Sequence, residues 1–562
     1  MIATATKEKT VTAFTSTPAG APELVMGEDV LNLLKDPGFL EKWNQLYHSC
    51  PWATVFQSPS FVATWYQFYE KEFLPILVKT EYAGKLTGLL TLTKGKNGLI
   101  TGAGTNQAEY QVWLTDGDLD ETFIKGALKA VTKQFPKNKI FLKYIPAGTS
   151  LHFAKEDVAW KQRCVVMPNR QPLMVINDEH LTSELKKKNR REKVNRMKRQ
   201  GELIFERITD YATFASVFDE LATQNDFRKG AMYNKMAFKN DRFRKPFFLS
   251  LFEKNVLHVT LLKINDKIIA SNVGMGNSRQ LHLQGINSFD AAYAKHSPGI
   301  IHFLMLGKML AQEGVQIFDL TPGADAYKDI LATEHTVAYT LSIGSKYYGL
   351  KSRMSFRVNR YLKKATVLVG LEPEKLKKRK QRLAQYRQTL MNVGRQGFSA
   401  GVSFLAAKWK KPGKTMKYWI VEKNAAVPGN VDLRKDDLNN LMNYDPRDVR
   451  NSQQEFLSNA MRRFEEGGHC YTWAENGRLL GCAWVTNQPS SPADHNIEGI
   501  TEGTIVTLSN VYCHPKAQQQ FPVFLRSIAN ELAVDNLHDK FYIVTDSNDD
   551  LLFTKAGFQR LK

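Results

Sequence analysis

The side chains best suited to chemistry gather around one turn in the middle of the chain. Asp319 closes an apolar run, and Thr321-Pro322-Gly323 turns the chain toward Tyr327-Lys328. A carboxylate can orient or deprotonate a nucleophile, a phenol can donate a proton, and an ammonium can hold an anion. His282 lies on a strand-like run that could face the same place. Each of these residues also has an ordinary structural use. Aspartate caps turns, tyrosine packs, lysine sits in water, and a single strand histidine serves the fold more often than a reaction. Cys513 precedes His514, which suggests an activated thiol, but no orienting acid stands beside the pair. The five cysteines, Cys50, Cys164, Cys470, Cys482 and Cys513, form no CxxC pair and no Cys/His ladder. That argues against a metal site and a disulfide framework, and it suits a reducing compartment.

The elements around that turn follow a clear order. Residues 256–264 and 267–274 alternate apolar and polar positions about Asn265-Asp266 and read as a hairpin. A strand at 280–286 follows. Pro298-Gly299 then opens an apolar helix over 300–313, Gly314 ends it, and 315–320 reads as the strand that Asp319 closes. Earlier, 75–80 and 86–92 read as strands joined at Ala83-Gly84, with a helix over 120–134 and a strand at 140–144. Near the end, 470–474 and 479–486 form a hairpin. A strand (504–512), a helix (522–535), a strand (540–545) and a short helix (550–555) follow it. The texture is mixed α/β throughout. It divides the chain into a tail at 1–22, units at 23–180 and 181–348, a basic helical linker at 349–414, and a last unit at 415–562.

Charge is concentrated. The chain of 562 residues has 77 Lys+Arg against 56 Asp+Glu, a net charge of +21. Between Lys186 and Arg199, on what reads as one helix over 181–201, nine cations face one acid, Glu192. Residues 351–411 hold 17 Lys/Arg against two acids. These two stretches exceed the net charge of the whole chain, so the remainder is close to neutral. A general nucleic-acid surface is therefore not expected, and two local docking elements are. In the linker, Tyr361-Leu362, Val367-Leu368 and Leu371 alternate with cations, a pattern that could lie on an anionic membrane. No run approaches the ~18 apolar residues of a membrane span. The start, Met1 to Pro22, lacks an apolar signal core. A cytoplasmic protein is expected, with peripheral contact to the inner face of a membrane as an option.

The repeated order of hairpin, strand, turn, helix and strand resembles the GNAT acyltransferase fold. The middle unit resembles the BcsL/CelD-like acetyltransferases, which are associated with cellulose and other polysaccharide biosynthesis. The resemblance rests on Tyr293-Ala294-Lys295-His296-Ser297-Pro298-Gly299 before the helix and on Asp319, Gly323 and Tyr327-Lys328 after the strand. Phe56-Gln57-Ser58-Pro59-Ser60-Phe61, Trp65 and Glu109-Tyr110 extend it into the first unit, giving a Fem-type tandem over residues 24–344. It implies three GNAT-like units of mixed sheet, the first two in tandem. It also implies acyl-CoA, most simply acetyl-CoA, as the donor and no metal. Pro298, Gly299 and Ile300 would shape the donor site, where backbone N–H groups at a helix start meet the pyrophosphate. Asp319 would orient or deprotonate the acceptor, Tyr327 would donate to the leaving group, and Lys328 would bind donor phosphate or acceptor carboxylate.

The acceptor would be an amine or hydroxyl of a sugar, a polysaccharide precursor or a lipid-linked molecule. Fem-type relatives use aminoacyl-tRNA, so a tRNA partner stays open, as does a non-catalytic binding role. The last unit is similar to an ordinary GNAT domain through residues 508–515 and through Asn548, Phe553, Gly557 and Phe558. Its phosphate loop, Lys516 to Pro522, has no glycine, which points to a degenerate or regulatory site.

Overall fold

The computed structural model describes residues 21–116, 121–323, 325–352, 354, 417–422, 429–446, 452–490, 505–534, 540–545 and 550–561. Most of the basic linker, including the stretch read as membrane-facing, lies outside the described residues, as does Asn548.

Among the described residues the fold is mixed α/β, with helices packed on two mixed sheets. The first sheet is built from β1 (Glu23–Met26), β2 (Phe73–Tyr82), β3 (Lys85–Gly95), β4 (Ile100–Gly102), β5 (Leu114–Thr115), β6 (Ile140–Ile145), β7 (Cys164–Val175), β8 (Leu203–Ile208), β9 (Leu257–Ile264), β10 (Lys267–Gly276), β11 (Gln280–Phe289), β12 (Ile317–Asp319) and β13 (Glu334–Ile343). Their order across the sheet is β1-β2-β3-β4-β6-β13-β7-β12-β11-β10-β9-β8, with β5 beside β3. The expected hairpins form β2–β3 and β9–β10. Ala83 and Asn265 take the positive φ of 48° and 51° that their tight turns require. One connection was not expected. β13 crosses back from the end of the middle stretch and inserts between β6 and β7, antiparallel to both. The first and middle stretches therefore share one continuous sheet.

The second sheet runs β15-β16-β17-β18-β19-β14-β20. Its strands are β14 (Lys417–Glu422), β15 (Leu433–Lys435), β16 (Gly468–Glu475), β17 (Arg478–Ser490), β18 (Ile505–Cys513), β19 (Lys540–Thr545) and β20 (Gln559–Arg560). Its helix Gln453–Glu465 packs on helix Tyr211–Tyr233 through Leu457, Phe464, Phe227 and Ala231. At the glycine-free loop, Phe521 and Phe524 are fully buried at the start of helix Phe521–Val534.

Helix Pro298–Gln312 connects β11 to its parallel neighbour β12. Proline at its start supplies a preset φ and loses no bond there. Ile301, Phe303, Leu304, Leu306 and Leu310 are buried, each worth roughly 1.5–3 kcal/mol of transfer free energy. The single basic helix expected over 181–201 is two helices, Asp178–Lys186 and Lys188–Lys198, broken where Lys187 is extended at ψ 136°. The break has a clear effect. It lets Leu181 pack with Met174 and Phe318, while Met197 packs with Leu262, Ile269 and Ile301. The arm therefore buries its thin apolar stripe and leaves most of its cations outward, while Arg190 is largely buried against Glu184 and Lys193 is half-buried.

Candidate active site

The site is made by two parallel strands that part. β11 pairs with β12 only over Gln280–His282 against Ile317–Asp319. β12 then ends, while β11 continues to Phe289. A bulge re-aims β11 on the way. The register against β10 slips between Val273 and Met275, and Gly285 takes φ 129°. A Cβ at Gly285 would stand 2.2 Å from the Val273 carbonyl oxygen, so glycine is required. Gln284 crosses to the first stretch and donates to the carbonyls of Asn106 and Gln107 at 3.0 and 3.2 Å.

A pocket of ≈ 210 Å³ occupies the gap between the end of β11 and the first turn of helix Pro298–Gln312. Phe289, Ala294, Pro298, Ile300 and Phe303 supply its apolar wall. Arg228, Ser271, Asn287, Ser288, Ser297, His302 and Tyr327 supply polar groups. Gly299 also lines it, and a Cβ there would touch only Phe289, at an ordinary 3.6 Å. Packing alone therefore admits a side chain at 299. Ser297 holds a left-handed φ of 52° just before Pro298. Burial depresses the pKa of His302 to about 3, so it is neutral, and its Nε2 lies 2.8 Å from Thr260 Oγ1.

Tyr327, which the sequence grouped with Asp319 and Lys328, lines this pocket apart from them. Its ring lies nearly parallel to that of Phe303, with centroids 6.1 Å apart. Burial pushes its phenol pKa up against the opposing pull of Arg228, so the hydroxyl keeps its proton. Arg228 donates to the carbonyl and side-chain oxygens of Asn287 at 2.8 Å each and lies over Phe289. Neither Arg228 nor Asn287 was singled out from the sequence. Neither sits in a motif, and only folding brings helix and strand together.

Asp319 and Lys328 are placed differently. Asp319 is fully buried at the end of β12. Its Oδ2 accepts from Tyr110 Oη at 2.5 Å and Gln171 Nε2 at 2.9 Å. His282 Nδ1 stands 3.0 Å from the same oxygen and Gln280 Nε2 3.4 Å. Oδ1 accepts from the backbone N–H of Thr321 at 2.7 Å, which pins that residue at φ 61°. Burial and the Asp319 charge drive the Tyr110 pKa well up. Lys328 follows Tyr327 on helix Ala326–Leu331 and so points about 100° away from it. Its Nζ donates to the Thr321 carbonyl at 3.0 Å and hydroxyl at 3.2 Å. Burial lowers its pKa. Pro298, Gly299, Ile300 and Tyr327 thus share the pocket, while Asp319 and Lys328 share the turn behind it.

A polar seam adjoins that turn. Lys143 pairs with Glu109 at 2.7 Å, and Tyr233 donates to Asp325 Oδ1 at 2.9 Å. Lys229, held by burial and then by Arg228 at a pKa of about 8, feels Asp325, Lys328 and Glu109 as neighbours. The basic arm reaches the pocket rim, where Lys193 Nζ donates to Ser297 Oγ at 2.8 Å. Burial, with Lys295, Arg196 and Lys193 nearby, lowers the pKa of His296. Cys513 Sγ stands 3.5 Å from the His514 carbonyl oxygen. His514 is buried, and its Nδ1 accepts from the Lys516 N–H as a turn cap.

Among the described residues no group of three or more His, Cys, Asp or Glu side chains is placed to hold a metal ion. No helix among them is long and apolar enough to cross a membrane. No curated protein matches the chain. Solved structures with resemblance include a crystal structure of FemX, at 11% identity and TM-score 0.40, covering 55% of this chain and 96% of that one. The C-terminal DUF2156 domain of a putative lysylphosphatidylglycerol synthetase from Agrobacterium fabrum aligns at 14% identity and TM-score 0.37, covering 57% and 96%. A tandem GNAT protein from the clavulanic acid biosynthesis pathway aligns at 10% identity and TM-score 0.34, covering 57% and 98%. Superpositions this loose carry no argument about function. A family model does match part of the chain: residues 185–329, which hold the basic arm from Leu185 onward, the parting strands and the pocket, match the acetyltransferase (GNAT) domain.

Proposed function

We propose that the chain is an acyltransferase that moves an acyl group from acyl-CoA to an amine or hydroxyl acceptor. The observation that carries this reading is the pocket between the parting strands and the start of helix Pro298–Gln312, inside the stretch that matches the acetyltransferase domain. The pocket suits the narrow arm of a thioester donor, and the start of the helix offers its phosphates the positive end of the helix dipole and the Gly299 N–H, the Ile300 and Ile301 N–H groups being bonded to the Ser297 carbonyl. The neutral acceptor attacks the thioester carbon, a backbone N–H near the β11 bulge steadies the oxyanion, the C–S bond breaks, and Tyr327 relays the proton, its hydroxyl giving one to the departing sulfur while it takes up the one the acceptor loses. Lys328 keeps the Thr321 turn in place from behind. Asp319 acts through the groups it binds, fixing His282, Tyr110 and that turn, because it is sealed from any acceptor. The acceptor class follows the sequence resemblance: a sugar, a polysaccharide precursor or a lipid-linked molecule of the BcsL/CelD-like kind, met in the cytoplasm or at a membrane's inner face.

The test is thioester consumption by the purified protein with acetyl-CoA and a panel of amines and amino sugars. Tyr327→Phe is expected to lower kcat at least tenfold with little change in KM. Full activity in that variant overturns the assignment of Tyr327. Absence of any thioester binding by the wild type overturns the donor.

The cationic arm packed on the pocket rim favours a second reading, an aminoacyl-tRNA donor as in Fem-type enzymes. Nucleic-acid binding would weaken steeply with salt, whereas coenzyme A binding would change far less. Titrations at low and moderate salt separate the two.

A further inference from the structure

Helix Tyr211–Tyr233 has two partners. Arg228 lines the pocket, while Phe227 beside it is buried against the last unit. Successive helical residues point about 100° apart, so the helix serves both at once. Phe464 of helix Gln453–Glu465 meets Phe227 edge to face, with ring centroids 6.0 Å apart. Gln454 Nε2 donates to the Met232 carbonyl at 2.9 Å, and Lys239 Nζ donates to the Met442 carbonyl at 2.8 Å. The two helices leave no spare room at Gly230, where a Cβ would stand 2.9 Å from Leu457 Cδ1. Glycine inside a helix weakens it, so the close approach is what this glycine preserves. Ala291 belongs to the same buried cluster. It opens the short helix Ala291–His296, which carries Ala294 and leads to Ser297 and Pro298 on the pocket wall. Among the described residues none of the last unit lines the pocket, yet that unit abuts the supports of two of its walls.

We infer that Leu457 and Phe464 are positioning residues for the donor pocket: packed against helix Tyr211–Tyr233 and the Ala291 turn, they hold Arg228 and the Ser297–Pro298 rim at the spacing a thioester donor needs. Protein interiors are close-packed, so a shift of one helix is passed to its neighbours rather than absorbed. Arg228 is sensitive to such a shift. Its two 2.8 Å bonds to Asn287 tie the helix to β11, and Asn287 lines the pocket. In this role the last unit needs no donor site of its own. The buried Phe521 and Phe524 at its glycine-free loop suit a unit kept for packing.

The inference rests on the acyl-CoA reading for its ligand, and two readouts keep them apart. Full-length wild type, Leu457→Ala, the milder Phe464→Leu and a control, Ile543→Ala, are titrated calorimetrically with acetyl-CoA below their unfolding temperatures. Amide exchange over residues 287–300 is followed in the unliganded proteins. Ile543 is buried in the last unit's own core, in a cluster apart from Leu457. Leu457→Ala should weaken acetyl-CoA binding about threefold or more and speed exchange over 287–300, and Phe464→Leu should do so less. Adding Gly230→Ala to Leu457→Ala returns a methyl to the vacated space and should recover part of the affinity. Ile543→Ala should lower Tm and leave affinity and exchange as in the wild type. Affinity unchanged in both Leu457→Ala and Phe464→Leu, or lowered equally by Ile543→Ala, overturns the inference while the donor reading stands. No acetyl-CoA binding by the wild type overturns the donor reading, and exchange in the same variants then decides the inference by the same comparison.

Discussion

Replacing Asp319 by asparagine changes one oxygen to NH₂ and removes one charge, at a carboxylate that is fully buried. Four groups stand around Oδ2, those of Tyr110, Gln171, His282 and Gln280, and the Thr321 N–H bonds Oδ1. An amide has one acceptor oxygen. If that oxygen replaces Oδ2, the Thr321 N–H faces an NH₂ group and its left-handed turn loses its anchor. If the amide flips, Tyr110 and Gln171 face the NH₂ group. Either way a buried donor is orphaned and charge-assisted bonds weaken, each bond worth roughly 1.5–3 kcal/mol. The expected loss of stability is about 3–5 kcal/mol. In urea that lowers the midpoint by roughly 1 M or more. Tyr110→Phe removes one donor and leaves the carboxylate its others, so it should cost about 1–2 kcal/mol. Denaturation followed by tryptophan fluorescence and circular dichroism measures both. If Asp319→Asn folds normally and costs under ~1 kcal/mol, the carboxylate is not the sealed hub described, and its assignment as an acceptor-facing group returns.

Three further outcomes are expected. Gly299→Ala should leave stability within ~1 kcal/mol, because a Cβ meets only Phe289 at 3.6 Å, yet weaken CoA binding; equal affinity by calorimetry would remove Gly299 from the donor site. His302, depressed to about 3 from an ordinary 6.5, is neutral in the fold and protonated when unfolded across that interval, so it contributes stability that is lost as pH falls from about 6.5 toward 3. Acid titration of His302→Gln should show a shallower loss over that window, and an unchanged slope counts against it. Lys229, depressed to about 8 from an ordinary 10.5, makes the fold gain stability as pH rises from about 8 toward 10.5; Lys229→Met should flatten that rise in pH-dependent unfolding.

Local signals were the legible ones. Asn265-Asp266 marked a hairpin, Pro298-Gly299 marked a helix start, and Gly314 marked its end, because turn and cap chemistry acts within a few residues. That Tyr327 stands near a turn leading off a strand was legible for the same reason. The roles of Asp319 and Lys328 were less so. Whether a carboxylate meets solvent or four side chains depends on Tyr110 and Gln171, both far away in sequence. The break at Lys187 was hidden because Leu181 and Met197 serve different clusters, which charge counting does not reveal. Arg228 carries no motif, and its meaning comes only from the strand and the helix beside it.

The insertion of β13 between β6 and β7 also sets an order of assembly. Glu334 pairs with Leu173 and Ile343 with Cys164, so the middle of the large sheet is closed by residues made long after its neighbours. Until that strand emerges during synthesis, β6 and β7 each present an open edge, the feature most prone to pairing with the wrong chain. Such distant pairing slows folding. The first stretch therefore cannot finish alone, and a chain cut before β13 should aggregate where one cut after Ile343 stays in solution.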